Sequence, residues 1–306
     1  MKKPYRLYWS NLDLYEQCPQ KFLWYKGWGV IDVGGGPGRR KPLELGAPRS
    51  EHHALMGIVI ASAVEKIYND EWWRQPKELK SRLTDFIEEE FHLQIARSYI
   101  NWNETSKSEL KETCKSGVVG YLKIMKHNRL LGDLYSKAEV ILKADVDGGI
   151  PIGGRPDVII NRSDSGLLII DGKNSKTPGR YVSKDQLRWY ALIYYLINQS
   201  LADLAFAYFR YPPDNPPESH LKKKRPSEWT GLVYVPVSVD QIHGLIDRAK
   251  LAYSGMAAER FEATPSSKAC RFCEYQDVCV SYQEGQMKKS NPEYSGKGFI
   301  DFSFDA

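Results

Sequence analysis

The stretch Ile150–Lys173, IPIGGRPDVIINRSDSGLLIIDGK, decides how this chain is read. Two strand-forming apolar runs, Ile150–Ile160 and Leu167–Lys173, flank the turn-forming cluster Asn161–Gly166, and this pattern predicts a hairpin. Folding about that turn sets Asp157 nearly opposite Asp171, because the two lie at similar distances along the chain from its centre. Alternate side chains of a strand share a face, so Asp171 and Lys173 point one way and Gly172 the other. Two carboxylates beside an amine suit a hard divalent cation, Mg²⁺ or Mn²⁺, which polarises a phosphate oxygen and acidifies a bound water. Lys173 can hold that water or the phosphate, and it tempers the repulsion between the acids. A lone D-x-K triplet arises often by chance, so the reading depends on its surroundings.

Outward from the hairpin, the apolar period changes. Ala138–Lys143, Leu204–Arg210 and Leu232–Val237 read as strands, and Ser183–Gln199 and Val239–Glu259 as helices. Before the sheet, three helical patterns run from about Glu51 to Trp73, Pro76 to Ile100 and Ser106 to Leu131, and a short helix spans Ser10 to about Trp24. The order is α/β with a central mixed sheet flanked by helices. We expect one domain over residues 1–285, with a helical region at 51–131, a sheet-bearing core at 137–255, terminal segments 1–30 and 260–285 joined to each other, and a tail at 286–306.

The chain has 306 residues, 42% of them hydrophobic, enough for a substantial core. The first ten residues lack the apolar core of a signal peptide and no 18-residue apolar run occurs, so a cytoplasmic protein without membrane spans is expected. A net charge of +5 is too modest to identify a nucleic-acid enzyme by itself. The basic runs Gly36–Lys41 and Lys222–Arg225 read as solvated loops, and the tail Gly298–Ala306 as an edge strand or a disordered end. No G-x-x-x-x-G-K-[ST] element is present, so the chain carries no ATP-driven helicase of its own. Trp72, Trp73, Trp189, Tyr208 and Phe209 are candidate stacking surfaces for unpaired bases.

Five cysteines are present. Cys270, Cys273 and Cys279 form C-x2-C-x5-C, Cys18 lies far away in the chain, and Cys114 is left over. Four soft thiolates fit either a tetrahedral zinc or an iron-sulfur cube, and spacing alone does not separate them.

Taken jointly, these motifs resemble the PD-(D/E)XK nucleases, in particular the RecB-like branch with an iron-sulfur cluster. Pro156-Asp157 matches the PD element and Asp171-Gly172-Lys173 the (D/E)xK element. Gln186 and Tyr190 match the Q-x-x-x-Y helix, and Glu139 the acid on the first sheet strand. The resemblance implies a restriction-endonuclease-like core with a helical insertion. It also implies a 4Fe-4S cluster on Cys18, Cys270, Cys273 and Cys279 that ties the two ends together. The expected activity is metal-dependent hydrolysis of DNA, on single strands or ends and as an exonuclease, in recombination, repair or CRISPR adaptation. A helicase or CRISPR adaptation protein is the expected partner. Asp157, Asp171, Lys173, Gln186 and Tyr190 would be the catalytic set, with Asp157, Asp171 and Glu65 as metal ligands. One element departs: the branch's G-x-x-x-H-x-x-x-E helix reads Gly57, Ala61, Glu65 here, with alanine in place of histidine. His52 and His53, upstream on the same helix, read as an exposed helix-start pair. The departure motivates a second reading, a DNA-binding scaffold whose catalysis has weakened.

Overall fold

The computed structural model describes residues 6–26, 52–98, 100, 102, 105–131, 136–162, 166–175, 177–179, 182–222, 228–271, 273, 275–276 and 279–290. The basic run Gly36–Lys41, most of Lys222–Arg225 and the tail Gly298–Ala306 lie outside them. The described chain opens with β1 (Leu7–Tyr8), α1 (Trp9–Gln17) and α2 (Pro19–Lys26), followed by α3 (His52–Asn69), α4 (Pro76–Ile95) and α5 (Lys107–His127). Strands β2 (Lys137–Ala138), β3 (Leu142–Val146), β4 (Ile150–Gly154), β5 (Val158–Arg162) and β6 (Gly166–Lys173) come next. Then follow α6 (Lys184–Asn198), β7 (Asp203–Tyr208), α7 (Glu218–Leu221), β8 (Leu232–Tyr234), α8 (Val239–Ala257), α9 (Ser267–Cys270) and α10 (Val280–Ser290). The chain divides into two compact units, one of Met1–Arg6 with Ala47–Asp247, the other of Leu7–Gly46 with Arg248–Ala306. Among the described residues, no helix is long and apolar enough to cross a membrane.

In the first unit a five-stranded sheet has the order β2-β5-β6-β7-β8. The β5–β6 hairpin is antiparallel with Val158 opposite Ile170, as the sequence pattern requires. Strands β6 and β7 run parallel, which obliges the chain to cross over between them, and α6 is that crossover. The sheet is therefore mixed and flanked by helices, in keeping with a restriction-endonuclease-like core. Val158, Ile160, Leu168, Ile170, Ala205 and Ala207 present one face to α3, α4 and α5. Leu110, Cys114, Val118, Tyr121 and Met125 recur at three and four residues along α5 and are buried in that layer. Each fully buried aliphatic side chain there contributes about 1.5–3 kcal/mol. On the other face α6 buries Leu187, Trp189 and Ala191, and the Trp189 indole Nε1 donates to the Gly153 carbonyl at 2.9 Å.

Three sequence-level elements break where backbone chemistry requires it. The expected strand Ala138–Lys143 splits at Glu139, whose φ of 56° is left-handed and ends β2. The run Ile150–Ile160 becomes β4 and β5, because Pro156 has no N–H to give a ladder; β4 then pairs antiparallel with β3 instead. The helix through Cys18 is two helices, since Cys18 precedes Pro19 and takes an extended conformation, φ −168°, ψ 111°.

In the second unit the N-terminal and C-terminal segments meet through packing. The Phe22 and Phe261 rings stack at 6.3 Å, and Tyr15 meets Phe22 edge-on at 5.6 Å. The Tyr15 hydroxyl donates to the Arg260 carbonyl at 2.8 Å, and Arg248 forks onto Glu16 at 2.7 and 2.8 Å. The iron-sulfur cluster expected to make this join is not supported. Among the described residues no group of three or more His, Cys, Asp or Glu side chains is arranged to hold a metal ion. Cys18, Cys270, Cys273 and Cys279 do line one small cavity of about 20 Å³. Burial pushes the Cys273 and Cys279 thiols up in pKa, and the Cys279 thiol donates to Gln20 Oε1 at 3.8 Å. The 4Fe-4S cofactor, the four-cysteine branch assignment and the cluster-joined architecture are therefore corrected to a join made by aromatic packing and ion pairs. Phe22, fully buried, anchors it: Phe22→Ala is expected to destabilise this unit by about 3–5 kcal/mol, read as a shifted urea midpoint.

Candidate active site

The registers of two neighbouring strand pairs set three acids in a row across the sheet. Ala138 is opposite Val158 and Val158 opposite Ile170; one residue further along each strand come Glu139, Asp157 and Asp171. The Glu139 N–H donates to the Asp157 carbonyl at 3.0 Å, which continues the ladder past the last paired residue of β2. Asp171 is 2% exposed. Asp157 stands at a bend just before β5, and its Oδ2 accepts from the Gly172 N–H at 2.7 Å. Gly172 itself leaves no room for a β-carbon, which would collide with the Phe209 ring.

Lys173, two residues beyond Asp171 on the same face of β6, ion-pairs with Asp171 Oδ2. Its Nζ also donates to Gln186 Oε1 at 3.3 Å, and Gln186 Nε2 donates to the Tyr190 hydroxyl at 3.3 Å. Gln186 and Tyr190 are one turn apart on α6 and so share a side of that helix. The structure thus links Asp171, Lys173, Gln186 and Tyr190 in one chain of polar contacts, and Asp157 joins through Gly172. Burial raises the Tyr190 hydroxyl well above its ordinary value, so it stays protonated.

The electrostatics of the row favour a cation. Burial, and then the neighbouring Asp171, push the Asp157 carboxyl well above the usual carboxylate range. Burial also raises Asp171, against the pull of Lys173. Glu139 is raised by burial, and its Oε2 is held by Arg155 Nε at 2.7 Å. Asp171 Oδ2 is buried and, beyond the Lys173 ion pair, has no hydrogen bond of acceptable geometry. Buried acids that repel one another and an acceptor short of donors fit a hard divalent ion. The described acids form no three-ligand cage, but Mg²⁺ needs none: one or two carboxylates with waters and a substrate phosphate are its usual set.

A cavity of about 70 Å³ lies against this row, lined by Gly57, Ala61 and Val64 of α3, Tyr121 of α5, and Glu139, Asp157, Gly172, Asn174 and Phe209. Ala61, at the position where the resemblance calls for histidine, therefore shares this cavity with Glu139 and Asp157, whereas Asp171 does not line it. His52 and His53 stack on each other at 4.0 Å and do not line this cavity. Glu65 is exposed on α3 and acts on Glu139 only through its charge. Trp189, Tyr208 and Phe209 are core residues, and Trp72 and Trp73 pack against the helical core, so this set presents no open stacking platform. Sequence reading missed Arg155 and Asn174, and it took Tyr208 as a stacking surface rather than a loop anchor. Arg155 sits inside the quoted stretch, immediately before the PD pair. The Tyr208 hydroxyl accepts from the Gly179 N–H at 2.8 Å and pins the loop that follows Lys173, a contact with no local signal.

Residues 7–280 match the family model described as the PD-(D/E)XK nuclease superfamily. The chain belongs to that superfamily. In this PD-(D/E)XK protein the match spans both units, with Pro156-Asp157 just before β5 and Asp171-Gly172-Lys173 at the end of β6, where the constellation above assembles. No curated protein matches the chain significantly. Among solved structures, one described as "Crystal structure of SSO0001" is similar at 16% identity with a TM-score of 0.30, covering 59% of this chain and 79% of that one.

Proposed function

We propose that this chain is a metal-dependent deoxyribonuclease that hydrolyses phosphodiester bonds in single-stranded DNA or at DNA ends, as an exonuclease. The observation that carries the reading is the pair of carboxylates, buried Asp171 and half-buried Asp157, with Lys173 ion-paired to Asp171 and tethered to α6 through Gln186. Mg²⁺ or Mn²⁺ bound there supplies Lewis acidity toward the scissile phosphate and neutralises the acids. Asp157 and Asp171 would be the residues that hold the ion. Lys173 Nζ, fixed between Asp171 and Gln186, offers its remaining N–H to the attacking water or to a phosphate oxygen, in a part-buried setting where its charge acts strongly. Gln186 and Tyr190 orient that amine. An acid row with Asp171 buried and Glu139 and Asp157 half-buried accepts a single strand or a frayed end more readily than the middle of a stiff duplex. The protein acts on such ends alone or beside a helicase or CRISPR adaptation protein that exposes them. A modest net charge of +5 makes binding salt-sensitive without sequence preference.

The test uses labelled single- and double-stranded DNA, linear and circular, with Mg²⁺ or Mn²⁺. Linear single strands should be degraded, circles spared, and chelation by EDTA should stop the reaction. Cut circles would assign endonuclease action instead. One observation favours a second reading, a weakened DNA-binding scaffold: Ala61 contributes no ligand to the cavity it shares with Glu139 and Asp157. A wild-type protein that leaves every substrate intact with both metals, yet binds DNA, would establish that reading.

A further inference from the structure

A groove of about 700 Å³ opens beside the acid-lined cavity, between α5 and the segment that follows β7. That volume falls within the range of ligand clefts, about 300–1,000 Å³. Asn174 and Phe209 line both spaces, so the groove and the cavity holding Asp157 share a wall. Asn174 directly follows Lys173, and the Phe209 N–H donates to the Lys173 carbonyl at 3.1 Å, which fixes this wall to the end of β6. Along α5 the groove is floored by Gly117 and Gly120; a β-carbon at Gly120 would collide with the Phe209 carbonyl oxygen. Small residues there keep the helix close and the groove open.

The charges in the groove are not equivalent. Lys123 is occupied, tied to Asp214 at 2.6 Å. Arg210 has no ion pair with any described carboxylate, and its Nε is buried with no hydrogen-bond acceptor. A guanidinium is always charged, and Arg210, half-buried at the groove wall, has no described carboxylate to neutralise it, so a ligand anion can supply the counter-charge. Its planar fork matches two phosphate oxygens. Asn174 and Ser116 add neutral polar groups to the same lining. The acids Glu109 and Glu112 sit on the first turns of α5. Glu109 is about 16 Å along the helix from Gly120 at ~1.5 Å per residue, so the repulsive end lies away from the catalytic end.

We propose that this groove receives the DNA strand adjoining the scissile phosphate, with Arg210 gripping a neighbouring phosphate. The inference rests on the nuclease reading above and says where its substrate lies. Binding is measured by anisotropy of a fluorescein-labelled oligothymidylate with Ca²⁺ replacing Mg²⁺, over a salt series, alongside cleavage with Mg²⁺. Arg210→Ala should weaken binding about tenfold, raise KM more than it lowers kcat, and reduce the slope of log K against log salt by about 0.7, the single-strand value for one lost phosphate contact. Arg210→Lys should recover part of the affinity and the slope. Asn174→Ala gives an independent reading of the same wall if Arg210→Ala fails to fold by circular dichroism; it should weaken binding with no change in slope.

Wild-type affinity and slope in folded Arg210→Ala would overturn the groove while leaving the nuclease standing. Cleavage absent in wild type, with binding that still depends on Arg210, would leave the groove standing and remove the hydrolytic reading. Oligothymidylate that does not bind wild type at all would remove both.

Discussion

Asp171→Asn is expected to lower DNA cleavage about 10³-fold while the protein stays folded. The substitution keeps the shape of a side chain that is 2% exposed, so the sheet has no reason to rearrange. It removes the negative charge that both the ion and Lys173 require. Asp171 Oδ2, held only by the Lys173 ion pair, is the donor the site has in reserve, and an amide there is neutral and a poor ligand for a hard cation. Lys173 would at the same time lose the partner that fixes its amine between β6 and α6. Single-turnover cleavage with Mg²⁺ and with Mn²⁺ measures the effect, and a thermal melt confirms the fold. A rate within tenfold of wild type under both metals would remove Asp171 from the chemistry.

Asp157→Asn should separate stability from activity: cleavage falls by a similar factor, while the metal-free protein becomes more stable. Asp157 titrates above its ordinary value because it is buried and faces Asp171. Between the ordinary carboxylate value and that raised one, the folded state holds a proton that the unfolded state has already lost. Stability from this group is therefore fully present at low pH and declines as pH rises through the window. Asparagine removes the decline and can still accept from the Gly172 N–H. The expected gain at pH 8 in EDTA is about 1–3 kcal/mol by urea unfolding, shrinking as pH falls into the carboxylate range. Saturating Mg²⁺ or Mn²⁺ should cancel the advantage by stabilising the wild type alone. An Asp157→Asn protein less stable than wild type at pH 8 would show that the acids do not repel as described.

The reading of the site and the reading of the ends fared differently for a physical reason. Hairpin register is local: pairing Arg162 with Gly166 across the turn brings Asp157 beside Asp171, and a period of two puts Lys173 with Asp171. Gln186 and Tyr190 are likewise related by one helical turn. The thiols of Cys18 and Cys270 are separated by most of the chain, and no period constrains where they meet. Spacing made them ligands, whereas no group of three or more described His, Cys, Asp or Glu side chains is arranged to hold a metal ion and aromatic rings join the segments. The split at Pro156 was also written in the sequence, because a residue without an N–H cannot continue a ladder, although the apolar run around it reads as one strand.

The sequence by itself determined the α/β order, the hairpin, the carboxylate pair with its lysine, and membership in a nuclease superfamily, because each rests on short-range periodicity or on motif order. Only the tertiary structure decided that Glu139 extends the acid row, that Ala61 shares a cavity with Glu139 and Asp157, that Trp189 and Tyr208 are core, and that Arg210 lines a groove beside it. Those facts depend on which faces of distant elements pack together and on how much water that packing removes, and neither is encoded at a fixed spacing along the chain.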